Sequence, residues 1–199
     1  GASQMGADVV LLESGKMGGD CLNYGCVPSK AMIAAAHAAH AVQNADRFGV
    51  DAGEPSVDFE KVHDHVHGVI GAIAPHDSVE RFEGMGVRVM QERGKFVGAN
   101  KVQAGDTVIT AKRIVISTGS RAGVPPIPGL ADVPFLTNET VFDKKTAPDH
   151  LIVIGGGPIG SELAQAHRRL GCKVTILEMF AVLGKDDPEL TEVVKNRMK

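Results

Sequence analysis

The sequence predicts an α/β protein built as two doubly wound parallel-sheet domains in series, each incomplete. Three observations carry this expectation. A short stretch recurs at an offset of 165: Gly6 to Glu13 reads GADVVLLE and Gly171 to Glu178 reads GCKVTILE. The second copy follows HLIVIGGGPIGSELAQAHRRLG, which reads as strand, glycine turn and helix. Between the copies, five of the ten prolines crowd into residues 121 to 148, which reads as an extended connection between domains.

In each copy a helix-ending glycine leads into a near-continuous apolar run and then an acid. A run without alternation suits a strand buried on both faces of a parallel sheet. Residues 31 to 47 read as an alanine-rich helix ending near Phe48-Gly49, its small face suited to close helix packing. Residues 57 to 83 read as mostly helical, with Pro75 as a break or restart. The following stretch, from GVRVM to ISTGS, reads as short strands and hairpins closing on a buried strand at Ile114 to Ser117. Cys172, between a glycine and an apolar run, reads as a small core residue. GKDDPEL reads as a helix start with Asp187 as N-cap and Pro188 at the first helical position.

The glycine turn carries chemistry. Gly155, Gly157 and Gly160 follow a predicted strand and open a helix, and Glu178 comes 18 residues after the last of them. In this βαβ setting the pattern is a dinucleotide signature. Gly155 permits the tight turn, Gly157 lets backbone approach a pyrophosphate, and Gly160 lets the helix lie close to the sheet. The exposed N–H groups at the helix start then face the phosphates. Glu178 can accept hydrogen bonds from both hydroxyls of an adenosine ribose, and it repels a 2′-phosphate. The next residues are Met179, Phe180 and Ala181, and the first cation is Lys185. NADH is therefore expected over NADPH.

If the first copy is a true repeat, about fifteen residues of strand and turn would precede Gly1, and only 21 residues follow Glu178. The expected organisation is thus a nucleotide-binding domain at 1–148 lacking its first strand and glycine turn, then the start of a second at 149–199. Such a piece is expected not to catalyse by itself.

Composition narrows the function classes. The chain has 199 residues, 43% hydrophobic, with a net charge of −3, no Trp and one Tyr. No block of Lys and Arg suggests a nucleic-acid partner. No apolar run reaches the length of a membrane span. Three cysteines and no visible signal peptide fit a reducing compartment, and a cytoplasmic location is expected.

The segment GGDCLNYGCVPSK, residues 18 to 30, holds Cys21 and Cys26. Zinc is the poorest of three readings, because a structural site needs about four ligands and no second pair is spaced for it; no metal site is assigned. A purely structural disulfide fits poorly with so few cysteines. A redox pair explains the neighbours. Pro28 suits a first helical turn, which places Cys26 at the helix N-terminus, where the dipole favours a thiolate. Lys30 adds positive charge one turn in. Gly18, Gly19 and Gly25 let the backbone pass close to a flat ligand. His63 and His67 stand at metal-binding spacing, but without a third ligand they read as a solvated helix face.

GGDCLNYGCVPSK, ISTGS at 116 to 120, the glycine turn and VTILE together resemble the class I flavin-dependent pyridine nucleotide-disulfide oxidoreductases, which include dihydrolipoamide dehydrogenase, glutathione reductase and mercuric reductase. Asp20 and the stretch APHDSVERF are most similar to mercuric-reductase-like members. The resemblance implies Rossmann-like domains binding FAD first and NAD(P)H second, in a homodimer when intact. Glu13 would meet the adenosine ribose of FAD, with Gly18, Gly19 and Asp20 near the cofactor and Thr118, Gly119 and Ser120 lining its site. Cys26 would face the flavin and Cys21 would meet the substrate. Lys30 would lie against the flavin ring and pair with Glu162. Electrons would pass from nicotinamide to FAD, to the Cys21–Cys26 disulfide, and on to a small-molecule or protein disulfide or a metal ion. A glutathione-reductase-like enzyme, or an FAD-binding redox sensor that does not turn over, are the alternatives. Pro158 stands where several relatives carry an aromatic gate. The family's later FAD aspartate, and its His–Glu dyad for proton transfer, would lie beyond residue 199.

Overall fold

A computed structural model describes residues 1–198. The chain forms two compact units: Gly1–Val27 with Gly68–Thr140, and Pro28–His67 with Val141 onward. Both mix helices with strands, as an α/β chain should.

In the first unit, β1 (Val9–Leu12) pairs in parallel with β2 (Val87–Met90), Val9 opposite Val87 and Leu12 opposite Met90. The ladder runs one residue further, with the Glu13 N–H donating to the Met90 carbonyl at 3.1 Å. The short helix α1 (Gly19–Tyr24) follows β1 and leads into α2 (Cys26–Gln43). Helix α4 (Val79–Gly84) packs on β2; the Ser78 hydroxyl caps it by accepting the Arg81 N–H at 3.2 Å. An antiparallel meander follows, of β3 (Gly94–Gly98), β4 (Lys101–Ala104) and β5 (Thr107–Thr110).

The expected buried strand at 114–117 does not form. Val115 and Ile116 are 86% and 69% exposed, and no strand pairs with them among the described residues. An apolar run is competent to be a strand, but only a hydrogen-bonding partner makes it one.

The second unit contains the repeat's fuller copy. Strand β6 (His150–Ile154), helix α5 (Pro158–Arg169) and strand β7 (Lys173–Leu177) form a βαβ unit, with His150 opposite Lys173 and Ile154 opposite Leu177. Gly171, like Gly6 before β1, takes the left-handed conformation that turns the chain into its strand. Helix α5 packs on both strands. The other face of the sheet is open: Ile152, Ile154 and Leu177 are each about half exposed. The reading of strands buried on both faces is corrected here, because burial on the second face needs a second layer of elements and none covers it among the described residues. Ala31, Ala36 and Ala39 of α2, Phe59, Val62 and Val66 of α3 (Phe59–Ile73), and Ala164 and Ala166 of α5 are core residues, with Cys172 among them. At the end of the unit, α6 (Pro188–Met198) starts as its sequence suggests, the Asp187 carboxylate accepting the Glu189 N–H at 2.9 Å. Among the described residues no helix is long and apolar enough to cross a membrane.

His167 is buried in this core, 2% exposed, with its ring 6.0 Å from that of Phe59 and its Nδ1 2.8 Å from the Leu163 carbonyl oxygen. Burial holds its pKa below the usual histidine value, against the opposing effect of the Leu163 hydrogen bond. The unfolded chain therefore takes up this proton at a higher pH than the folded one. Stability from this group is full above the ordinary histidine pKa of about 6.5 and is lost as pH falls from there through the folded pKa. Urea midpoints should fall over that window, and His167→Leu should flatten the fall. An unchanged slope in the variant would assign the acid sensitivity to another group.

Candidate active site

The two cysteines meet because of the residue between the helices. Helix α1 ends and α2 begins around Gly25, where an added Cβ would stand 3.0 Å from the Asp20 carbonyl oxygen and 3.3 Å from the Cys21 Cα. A side chain there would press on that backbone, and across this tight turn the Cys26 thiol is hydrogen-bonded with that of Cys21. Gly25 thus stands at a close approach of the chain to itself. Both cysteines are exposed thiols. The hydrogen bond with Cys26 raises the Cys21 pKa above the usual thiol value, and burial and the charge on Cys26 add to it. A backbone hydrogen bond from Cys26 opposes the rise. Pro28 lies in the first turn of α2, buried.

Helix α1 is short, and its geometry comes from tethers. Asn23 Nδ2 donates to the Met17 and Gly19 carbonyls at 3.0 and 2.9 Å. Asn138 Nδ2 donates to the Tyr24 carbonyl at 3.3 Å and to the Asp20 carboxylate at 3.5 Å. Leu22 anchors the helix at 3% exposure. Sequence reasoning missed both asparagines. Asn23 was visible, an amide one turn after Gly19. Asn138 gave no signal, since it comes 118 residues after Asp20.

Lys30 follows Cys26 by four residues in α2, and its Nζ lies 2.5 Å from Glu162 Oε2 on α5. The side chains are 59% and 48% exposed. An exposed pair of this kind contributes roughly 0–1 kcal/mol. Its value lies in holding an ammonium and a carboxylate at a fixed place on an open surface.

The two acids of the repeat are locally alike. Glu13 Oε1 accepts the Gly15 N–H at 2.7 Å, and Glu178 Oε1 accepts the Phe180 N–H at 3.0 Å, two residues on in each case. Glu178 Oε2 also accepts the Gly156 N–H at 2.8 Å. These bonds, that from Gly156 first, hold the Glu178 carboxyl below the usual carboxylate range. Each oxygen has a second lone pair, so the carboxylate can still accept from a ligand.

The glycines of the second turn divide by role. Gly155 has φ +105° and donates its N–H to the Leu177 carbonyl at 2.9 Å. A Cβ on Gly160 would run into the Gly155 carbonyl oxygen. A Cβ on Gly157, at the N-cap of α5, would meet nothing within 4 Å. Gly156, which the spacing pattern passes over, is buried against Val182. In the first unit, Gly18 lies tight against Leu22, and a Cβ on Gly19 would be 4.0 Å from Glu13 Oε2. Thr118, Gly119 and Ser120 lie in an exposed stretch outside any strand; no hydrogen bond ties them to the other candidate residues among the described residues.

A cysteine pair in contact and a strand–glycine turn–helix ending on an acid are features that a whole-chain comparison can place. Residues 1–199 match the family described as Pyridine nucleotide-disulphide oxidoreductase. The chain belongs to that family. It is 33% identical over 201 residues to a mercuric reductase of Streptomyces lividans, covering 98% of this chain and 42% of that protein. It is 35% identical over 207 residues to a dihydrolipoyl dehydrogenase of Haloferax volcanii, covering 98% and 42%. Among solved structures, the Cu(II) complex of a HOCl-induced flavoprotein disulfide reductase from Escherichia coli superposes with a TM-score of 0.81 at 25% identity, covering 98% of this chain and 42% of that one. The chain thus spans less than half the length of these pyridine nucleotide-disulphide oxidoreductases.

Proposed function

We propose that the protein is an FAD-dependent oxidoreductase that carries electrons from NADH through the Cys21–Cys26 pair to a disulfide or metal-ion acceptor. The observation that carries this reading is the contact of the two thiols across Gly25, in a chain of this family. Residues 1–148 would belong to the FAD-binding domain and 149–199 to the start of the NAD(P)-binding domain. In a cytoplasmic homodimer, the disulfide form of the net reaction is NADH + H⁺ + RSSR → NAD⁺ + 2 RSH.

The groups present fit both cofactors. Glu13, Gly18, Gly19, Asp20 and the exposed stretch Thr118 to Ser120 would hold FAD. The open space at Gly157, on the N-terminus of α5, would hold the pyrophosphate of the nicotinamide dinucleotide. Bound FAD supplies the two-electron link between nicotinamide and disulfide. The chain's own residues do the thiol chemistry. Cys21, on giving up its proton, attacks one sulfur of the acceptor disulfide; the S–S bond breaks, a mixed disulfide forms, and the departing thiolate takes the proton and leaves as one thiol. The Cys26 thiolate then attacks Cys21, which restores the Cys21–Cys26 disulfide and releases the second thiol. Lys30, held by Glu162, would place positive charge beside the flavin.

Two measurements test this. Anaerobic titration of the intact protein with one equivalent of NADH should expose two new alkylatable thiols, at Cys21 and Cys26; the absence of new thiols would sink the redox reading. Glu178 should also make NADH preferred over NADPH by at least about tenfold in kcat/KM, or 1.4 kcal/mol, because a 2′-phosphate would meet a carboxylate. Equal values would mean that a cation elsewhere reads the phosphate.

A further inference from the structure

We propose that His63 and His67 form a chelating site for a borderline divalent transition ion, Cu²⁺ or Zn²⁺, separate from the cysteine pair. The two residues lie one turn apart on α3, with ring centroids 4.2 Å apart and planes tilted by 36°. The rings are only partly solvated. The His63 side chain is 14% exposed and that of His67 40%.

The hydrogen bonds settle which nitrogens carry lone pairs. His63 Nδ1 lies 3.0 Å from Asp64 Oδ1. His67 Nε2 lies 3.2 Å from the Phe142 carbonyl oxygen and 3.6 Å from Asp143 Oδ1. A carboxylate and a carbonyl oxygen only accept, so His63 Nδ1 and His67 Nε2 are the N–H donors. In the neutral rings, His63 Nε2 and His67 Nδ1 are then the bare nitrogens. Each ring is thus held as metal-bound histidines are held, with its far N–H on a carboxylate or backbone carbonyl that fixes the tautomer and raises basicity. Two nitrogens sharing one ion stand about 3 Å apart, given metal–nitrogen bonds near 2.0–2.1 Å. Rings with centroids 4.2 Å apart would reach that spacing by rotation about their side-chain bonds.

Imidazole nitrogen selects Zn²⁺ and Cu²⁺ over the oxygen-seeking Mg²⁺ and Ca²⁺. Among the described residues no three His, Cys, Asp or Glu side chains are gathered as a ready-made ligand set. Water therefore completes the coordination, and the site is a two-histidine chelate. Its effect on the fold is specific. The N–H partner of His67 is the carbonyl of Phe142, a core residue 75 positions away in the one-turn helix Val141–Asp143. An ion on the two rings would clamp that turn to α3.

The test is calorimetric titration of the intact protein with Zn²⁺ and with Cu²⁺, after reduction and alkylation of its thiols with iodoacetamide. One equivalent should bind, raise the melting temperature with concentration, and give a Cu²⁺ electron paramagnetic resonance spectrum with two nitrogen ligands. His63→Gln and His67→Gln should each lower affinity at least tenfold. Asp64→Asn should lower it less, and His65→Gln, on the same helix between them, should leave it unchanged. Because His63 is nearly buried, its variant could lose structure, so selective Cu²⁺ broadening of the His63 and His67 ring protons in the unsubstituted protein is the deciding measurement. Absence of binding, broadening at other histidines, or undiminished affinity in the folded His67→Gln variant would overturn the proposal.

Discussion

Replacing Cys26 by serine in the intact protein is expected to lower acceptor reduction on the order of 10³-fold or more, because in the proposed function the removed group is the nucleophile that closes each turnover. Cys21→Ser should do the same, and the two variants should differ in the flavin spectrum. The hydrogen bond with Cys26 raises the Cys21 pKa, and in the proposed function Cys26 is the sulfur that faces the flavin. Cys21→Ser should then show a long-wavelength charge-transfer band without any reductant, since Cys26 can no longer be tied up as a disulfide. Cys26→Ser should show none, even when reduced. The opposite pattern would reverse the two roles. No change in either spectrum would remove the cysteines from the redox path. Iodoacetamide gives an independent check, with Cys21 reacting slowly at neutral pH and faster as pH rises, as a raised thiol pKa requires.

Gly160→Val should destabilise the protein by about 1–3 kcal/mol, the usual cost of forcing atoms into a packed site, and should abolish nicotinamide dinucleotide binding. Its first added atom would collide with the Gly155 carbonyl oxygen, and the backbone there has nowhere to retreat without lifting α5 from β6. Gly157→Ala is the matched control. Its Cβ meets no protein atom within 4 Å, so urea-unfolding free energy should stay within about 0.5 kcal/mol of the unsubstituted protein. If that space takes the pyrophosphate, the same substitution should weaken NADH binding sharply at unchanged stability. Loss of stability in Gly157→Ala, or undisturbed NADH binding in it, would show that the open space at the start of α5 is not the phosphate site.

Much of this protein was legible in one dimension because its motifs are local. The glycine turn, the acid at the end of β7 and the cysteine segment each lie within about thirty residues, where backbone geometry and side-chain chemistry answer to near neighbours. The alanine face of α2, the Asp187 cap of α6 and the core placement of Cys172 were likewise readable, since each needs only a helix period or a flanking turn. The 165-residue offset between GADVVLLE and GCKVTILE announced two related strands, each ending on an acid, and their carboxylates do repeat the same backbone contact.

What tertiary structure decided rests on partners distant in sequence. Residues 114–117 have the composition of a buried strand, yet pairing is a relation between two segments, and composition carries only one of them. The open face of β6 and β7 is the same lesson, because burial belongs to the layer that covers a strand. Gly25 stands where the Asp20 carbonyl oxygen lies 3.0 Å from the place of an added Cβ, a closeness that only the folded turn shows. Asn138 came to α1 from the far end of its unit. The histidines of α3 read as solvated until Phe142, brought beside them by the fold, fixed the His67 tautomer. Sequence by itself determined which groups are present and what their immediate neighbours permit. Only the folded chain decided which hydrogen-bonding and steric partners those groups meet, because contact distances of a few ångströms are set by packing between segments far apart along the chain.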